Sequence, residues 1–360
     1  MKVLIAAGGT GGHIYPGIAI AKEIMDRNSE SQVLFVGTAR GLEKRIVPDN
    51  GFQLSLINSA GLKNVGIIGK LKGMTLLPKS IFEARQVLRD FKPDVVVGAG
   101  GYVSGPVLLA AHFMGFPTLV MDSNALPGFT NRRLARFVDK AALTFEAAVP
   151  FFGNKAIVTG NPVRKEFFDI EPRETKYPLH ILVFGGSQGA RAINNAMLEA
   201  LPLLRAKSSN LKITHQTGEA NYDNVRQGYE KEDWPDVDLR PYITNMVEIF
   251  NASDVIVSRA GATTCAEVAA AGKAAIMIPF PGAADDHQRK NAEAMVKHGA
   301  ARMLLQSELN GETLAWELLD LIGKPELIST IGSAARRMAK PDAAKVTVDL
   351  IEEMAKGKNV

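Results

Sequence analysis

At 360 residues, with 46% hydrophobic and 22% charged residues, the chain has room for two domains of ordinary size and the composition of a folded globular protein. Its Gly 33 and Pro 18 are ordinary shares, which excludes collagen-like and low-complexity architectures. The net charge is +4, and a single cysteine, Cys265, excludes an internal disulfide and a cysteine metal cage, so a reducing compartment is expected.

The chain opens MKVLIAAGGTGGH, a strand-length apolar run at 3–6 followed by glycines, too short for a signal peptide and without its cleavage pattern. A helix at 15–27 and strands at 33–36 and 54–57 are expected next. Then comes a basic stretch, in which Lys63, Lys70, Lys72, Lys79, Arg85, Arg89 and Lys92 face only Glu83 and Asp90. It accounts for much of the +7 carried by residues 1–160, against −3 for the remainder. Such a patch attracts phosphate-bearing partners. Ile67, Ile68, Leu71, Met74, Ile81 and Phe82 interleave with these charges, and a helix is expected at 80–89. Part of this segment must pack on a sheet. The mixture of Ile67, Ile68, Lys70, Lys72, Lys79, Phe82 and Arg85 also suits docking on an anionic bilayer, each basic residue adding about 1 kcal/mol.

Residues 95–121 contain no Lys, Arg, Asp or Glu and are long enough to cross a bilayer. Gly98, Gly100, Gly101, Gly105 and Pro106 break them into a strand at 95–97, a glycine loop, a short helix and a strand at 118–120. That pattern reads as buried α/β core. A helix at 127–137 and a strand at 141–144 complete the first series. The rhythm restarts after Gly160-Asn161-Pro162-Val163-Arg164, with strands at 180–184, 212–215, 255–257 and 275–278 and helices at 190–204, 263–271 and 287–298. An amphipathic helix at 343–356 follows the Lys340-Pro341 break. Alternating βαβ units imply parallel sheets covered by helices on both faces. The expected fold class is therefore α/β, two Rossmann-like doubly wound parallel-sheet domains, 1–160 and 161–340.

Glycine-rich turns follow three of the strands: Gly8-Gly9-Thr10-Gly11-Gly12-His13, Gly100-Gly101-Tyr102-Val103-Ser104-Gly105-Pro106 and Gly185-Gly186-Ser187-Gln188-Gly189-Ala190. Glycines let backbone N–H groups approach an anion, and a helix N-terminus adds partial positive charge. Any one of them is equally a tight turn; three together favour a site for phosphorylated ligands. None is a dinucleotide fingerprint, because Ile14 stands where the third glycine belongs and Gly37-Thr38-Ala39-Arg40 offers no acid for a ribose diol. No GxxxxGK[ST] is present either. In the second half Ser258-Arg259-Ala260-Gly261-Ala262-Thr263-Thr264 leads into a helix carrying Glu267, which either accepts sugar hydroxyls or favours the helix dipole. Asp285-Asp286-His287-Gln288 likewise reads as a cap or as a hydroxyl-binding cluster.

Taken together, GGTGGHIYP at 8–16, GGYVSGP at 100–106, GGSQGA at 185–190, HQTG at 215–218, SRAGATTCAE at 258–267 and DDHQ at 285–288 resemble the MurG family in order and over essentially the whole chain. These are UDP-N-acetylglucosamine:undecaprenyl-pyrophosphoryl-MurNAc-pentapeptide N-acetylglucosaminyltransferases of peptidoglycan and cell-wall synthesis. The resemblance implies a GT-B fold with two domains facing a cleft and the last helix, 341–360, packing back on the first domain. The first domain would take the lipid-linked acceptor and the membrane, the second the donor, UDP-GlcNAc. Thr10, Gly11 and Gly12 would approach the donor, Asn124 and Gln288 would bind GlcNAc hydroxyls, and Arg164 and Ser187 would lie near the diphosphate. Ile243 would hold uracil through its backbone, Glu267 the ribose, and Gly261, Ala262, Thr263, Thr264, Cys265 and Ala266 would face the phosphates. Gly100, Gly101, Tyr102 and Ser104 would meet the acceptor. One departure stands out: Asp122-Ser123-Asn124 replaces the family's acid-Gln-Asn triplet, so the amide at 123 is lost.

The implied reaction is attack of the MurNAc 4-hydroxyl on C1 of GlcNAc with inversion, lipid I giving lipid II, which needs one general base. His13 is the candidate, its pKa suited to proton removal near neutrality; capping the helix or binding the acceptor's diphosphate are the alternatives. Asp236-Val237-Asp238 has the form of a metal-binding Asp-x-Asp but lies away from every loop above and reads as a solvated strand end. Helix N-termini and Arg164 are therefore expected to offset the diphosphate charge, with no obligatory metal or cofactor. Expected partners are UDP-GlcNAc, the lipid-linked MurNAc-pentapeptide, an anionic membrane surface and cell-wall synthesis proteins, but not nucleic acid. The expected location is the cytoplasmic face of the cell membrane, held peripherally. A nucleotide-sugar 2-epimerase or a diacylglycerol glycosyltransferase would share the fold, but GGYVSGP argues against both. A periplasmic-type sugar-binding protein would need a secretion signal.

Overall fold

The computed structural model describes all residues except 10, 40, 60–66, 173–175, 235 and 358–360, with backbone only at 67–75. It divides into two units, Met1–Val163 with Lys340–Val360, and Arg164–Ala339. The sequence puts the junction after residue 160; the structure passes to the second unit after Val163. Packing explains the difference. Gly160 lies against Lys340 and Ala343, and Asn161 accepts a hydrogen bond from the Ser123 hydroxyl at 3.1 Å, so both belong to the first unit.

In the first unit β1 (Lys2–Ala7), α1 (Gly11–Arg27), β2 (Gln32–Gly37), α2 (Glu43–Asp49), β3 (Gln53–Leu56) and α3 (Ile67–Phe91) precede β4 (Val95–Gly100). Then come α4 (Ser104–Phe113), β5 (Thr118–Asp122), α5 (Phe129–Leu134), β6 (Lys140–Leu143) and β7 (Ala156–Val158). The strands form a parallel sheet in the order β3-β2-β1-β4-β5-β6-β7. β1, β4 and β5 are near-continuous apolar runs because helices cover both faces of a parallel sheet. Residues 95–121 resolve into β4, α4 and β5, and among the described residues no helix is long and apolar enough to cross a membrane.

The second unit repeats the plan with β8 (Leu179–Phe184), α6 (Arg191–Leu204), β9 (Leu211–Gln216), α7 (Tyr222–Lys231), β10 (Val237–Arg240), α8 (Met246–Ala252) and β11 (Val255–Ser258). It continues through α9 (Ala262–Ala271), β12 (Ala274–Met277), α10 (His287–Lys297), β13 (Arg302–Met303), α11 (Gly311–Ile322) and α12 (Pro325–Met338). Its sheet is parallel in the order β10-β9-β8-β11-β12-β13. The final helix, α13 (Ala343–Gly357), packs on α1: Val348, Leu350 and Ile351 join a core with Ile14, Ile18 and Ile24, and Arg27 bonds Asp349 at 2.6 Å.

Several boundaries differ from the sequence reading. α1 starts at Gly11 rather than near 15, although Gly11 and Gly12 are residues of low helix propensity. α5 covers six residues rather than eleven, and α2, β7 and β13 are too short to display a period. In each sheet the strand order reverses once, between β1 and β4 and between β8 and β11. In open α/β sheets ligands bind beyond the carboxyl ends of the strands at such reversals. All four of those strands run into the turns singled out above.

Candidate active site

In the first unit the turns after β1 and β4 close on one another. The Gly8 N–H donates to the Gly100 carbonyl at 3.3 Å, and a Cβ on Gly101 (φ +82) would lie 2.1 Å from the Gly8 oxygen. No residue but glycine fits at 101. Ser104 is fully buried; its hydroxyl accepts from the Gly100 N–H at 3.0 Å and shares its proton between the carbonyls of Ala6 and Gly100, both at 2.9 Å. Its hydroxyl shapes the turn and is not presented to an acceptor, contrary to the sequence reading. Tyr102 is exposed beside it. Gly11 and Gly12 open α1, while Thr10 lies outside the described residues.

His13 occupies the first turn of α1 and is half-buried. Its ring rests on Gly100, where a Cβ would come within 2.2 Å of Nδ1. Asn124 is positioned by Asp122: the carboxylate accepts from the backbone N–H groups of Asn124 and Gly128, both at 3.0 Å, and from Asn131 Nδ2 at 2.8 Å. Burial pushes the Asp122 carboxyl up from the usual carboxylate range, against the pull of these donors. Where the family has glutamine, the shorter Ser123 bonds Asn161, whose buried Nδ2 has no partner among the described residues.

In the second unit the turn after β8 is pinned by the segment following β9. A Cβ on Gly189 would meet the Thr217 oxygen at 1.9 Å, and one on Gly218 the Gln188 oxygen at 2.1 Å. Burial pushes the His215 imidazole down to about 3, so it stays neutral, with Asn194 Oδ1 at 3.0 Å and the Tyr229 hydroxyl at 3.2 Å. Asn194 in turn donates to the Thr217 carbonyl at 2.9 Å. Gln216 bridges the Gly186 carbonyl (2.9 Å) and the Ile243 N–H (2.8 Å). Of the Ile243 backbone, expected at uracil, the N–H is engaged by Gln216. Ser187 is exposed at the tip of the turn.

Helix α9 begins directly after Gly261. The Cys265 N–H bonds the Gly261 carbonyl at 2.9 Å, so the N–H groups of Ala262, Thr263 and Thr264 have no acceptor within the helix. The Thr263 hydroxyl is buried beside them, with no hydrogen-bond partner among the described residues. Cys265 itself turns inward, its thiol pushed up to about 12 by burial, and offers no polar contact to a phosphate. Ala266 lies on the same first turns. Burial pushes the Glu267 carboxyl up to about 7, opposed by the charge of Arg164. Arg164 is exposed, its guanidinium 4.9 Å from the Phe167 ring centroid. Asp285 and Asp286 both adopt left-handed backbone (φ 56 and 57) and turn the chain into α10, where Gln288 Oε1 accepts the Phe280 N–H at 3.0 Å.

Of the proposed bilayer patch, Lys79, Phe82 and Arg85 are exposed on α3, Phe82 at 68%; the side chains of Ile67, Ile68, Lys70 and Lys72 lie outside the described residues. Asp238 pairs with Arg240 at 2.8 Å on edge strand β10. Sequence reasoning named Asp122 only within a triplet and gave no role to it, to Asn194 or to Glu43, each of which hydrogen-bonds the backbone of one of these turns or segments. It quoted His215 and Gln216 within a motif without assigning them roles.

Residues 3–143 match the glycosyltransferase family 28 N-terminal domain and residues 180–347 its C-terminal domain. With two parallel-sheet α/β units, the chain is in class a GT-B glycosyltransferase. It is 47% identical over 355 residues, 97% of both chains, to the UDP-N-acetylglucosamine–N-acetylmuramyl-(pentapeptide) pyrophosphoryl-undecaprenol N-acetylglucosamine transferase of Geotalea uraniireducens. The protein of that name from Citrifermentans bemidjiense is 46% identical over 352 residues, 97% of this chain and 98% of its own. The crystal structure of Acinetobacter baumannii MurG superposes with a TM-score of 0.82 at 33% identity, over 98% of this chain and 99% of that one. A UDP-GlcNAc 2-epimerase from Neisseria meningitidis, 18% identical with a TM-score of 0.70 over 98% of this chain and 100% of its own, shares the fold alone. The chain belongs to the MurG family of N-acetylglucosamine transferases.

Proposed function

We propose that the chain transfers GlcNAc from UDP-GlcNAc to the MurNAc 4-hydroxyl of undecaprenyl-pyrophosphoryl-MurNAc-pentapeptide, the lipid I to lipid II step of peptidoglycan synthesis. The observation that carries this reading is identity of 44–47% to relatives of that name across nearly the full length of both chains. The test is transfer of labelled GlcNAc from its UDP form to a lipid-linked MurNAc acceptor; absence of labelled product from the folded chain would overturn it.

The donor is assigned to the second unit. The unspent N–H groups at the start of α9 and the Thr263 hydroxyl face the diphosphate, whose charge they and Arg164 offset as UDP leaves. Glu267, held near neutrality by burial, accepts the ribose hydroxyls in its ionised form. The lipid-linked acceptor is assigned to the turns after β1 and β4. His13 takes the proton of the attacking hydroxyl in one inverting displacement, and His13→Gln is expected to lower kcat about 100-fold or more at unchanged donor affinity. No metal is required: activity is expected to survive exhaustive chelation, and loss restored only by Mg²⁺ or Mn²⁺ would refute this.

The exposed Lys79, Phe82 and Arg85 and the basic segment before them support peripheral attachment to the membrane through α3, with the cytoplasmic face as the expected side. Lys70→Glu, Lys72→Glu and Lys79→Glu together are expected to abolish binding to anionic vesicles. The same location would bring the enzyme to cell-wall synthesis proteins.

A further inference from the structure

Glu43 is fully buried, and the mechanism above does not use it. It stands at the start of α2, and its carboxylate reaches back to two other segments. Oε2 accepts the Gly9 N–H at 2.9 Å, while Oε1 accepts the Thr38 N–H and the Thr38 hydroxyl, both at 2.8 Å. The space it occupies is made by three glycines. A Cβ on Gly8 would lie 2.8 Å from Oε1, one on Gly37 2.5 Å from Cγ, and one on Gly41 1.9 Å from Oε2. None of the three has a left-handed φ, so turn geometry does not call for glycine there. The carboxylate does.

The contacts continue from Glu43 toward the site. Gly9 carries Gly8 with it, Gly8 is clasped by Gly100 and Gly101, and Gly100 supports the His13 ring. Because its N–H is committed to Glu43, Gly9 has none to give an anion, so anion binding by this turn falls to the helix start beyond it.

We propose that Glu43 is a positioning residue for the transfer reaction: by holding the Gly9 N–H it fixes the turn after β1, and so sets His13 and the first turn of α1 in their working place. The inference rests on the function proposed above. A displacement of about 1 Å at a reacting group costs on the order of 100-fold in rate.

The test uses the full chain, comparing Glu43→Gln, Thr38→Val and Gly41→Ala with the wild type for kcat, UDP-GlcNAc Kd by equilibrium titration, and thermal midpoint. In Glu43→Gln the amide oxygen keeps both Thr38 bonds, but its NH₂ confronts the Gly9 N–H, so the attachment to Gly9 alone is broken. The expected result is a fall in kcat of about 100-fold with the donor Kd within about twofold of wild type. Thr38→Val removes a bond to the same carboxylate but leaves Gly9 held, so kcat stays within about threefold although stability falls by a comparable amount. Gly41→Ala, at the rim of the loop, displaces Oε2 without removing the charge and is expected to repeat the kcat loss; it carries the test if Glu43→Gln does not fold. Activity that tracks thermal stability across the three variants would overturn the proposal, as would a folded Glu43→Gln or Gly41→Ala chain with wild-type kcat. Absence of transfer by the wild-type chain would instead overturn the reading of function.

Discussion

Both units place glycine-rich turns after the strands at which the sheet order reverses, and the turns are built differently. After β1 and β4 the glycines are spent on packing: Gly8 and Gly9 donate to Gly100 and Glu43, and Gly101 lies on the Gly8 carbonyl. After β11 a helix begins at once, with its first N–H groups and the Thr263 hydroxyl unspent. One sequence signal, glycine after a strand and before a helix, therefore encodes close packing after β1, β4 and β8 and an open helix start after β11. A buried carboxylate behind the first turn adds negative charge there, whereas Arg164 brings positive charge to the second-unit site.

Substitutions at the glycines themselves break this contrast most sharply. Gly101→Ala combines a left-handed φ with a backbone clash and is expected to destabilise the first unit by more than about 3 kcal/mol and abolish transfer, read by thermal unfolding and product formation. An intermediate effect is expected at Glu267. Its folded pKa of about 7 lies above the unfolded carboxylate value of 4.5, so the folded chain holds the extra proton between these values. The stability contribution of this group is greatest at low pH and falls as pH rises toward 7. Donor binding has the opposite slope, because the ribose hydroxyls favour the ionised form. UDP-GlcNAc affinity should rise by up to about tenfold per pH unit below 7 and level off above it, and Glu267→Gln should flatten both profiles. UDP-GlcNAc is the suitable probe because its diphosphate does not titrate in this range.

A smaller effect of divided sign is expected at Thr263. Thr263→Val removes an unpartnered buried hydroxyl, so the ligand-free chain gains about 1 kcal/mol in thermal unfolding while the donor Kd weakens about tenfold. Gly186→Ala is the milder counterpart of Gly101→Ala. Gly186 shares the positive φ of Gly101, but nothing lies within 4 Å of its Cβ position, so only backbone strain of about 1–2 kcal/mol is expected. Equal costs at 101 and 186 would show that the first turn is not the more tightly built.

Much of this was legible in the sequence. Fully buried parallel strands must be apolar on both sides, so β1, β4, β5, β8 and β11 announce themselves as short apolar runs, and α1, α6, α9, α10 and α13 by their period; only the last part of α3 was anticipated, and α7, α11 and α12 were not. The order of the glycine turns carried the family resemblance and with it Glu267, Asn124 and His13. Short elements were not legible: α2, β7 and β13 span too few residues to show a pattern. The start of α1 was misplaced because Gly11 and Gly12 have low helix propensity, so the local pattern gives no helix there.

By itself the sequence determined two α/β units, the strands at their centres, the glycine-rich turns that follow them and the family to which the chain belongs, because each depends on local residue order. The tertiary structure alone decided which polar groups remain for a ligand. Ser104, the Ile243 N–H and Gln288 Oε1 are engaged by the protein, whereas the Thr263 hydroxyl is not. It also revealed Glu43, whose partners Gly9 and Thr38 lie in other segments of the chain. A hydrogen bond between distant segments exists only once the chain has folded, so residue type and local spacing do not specify it.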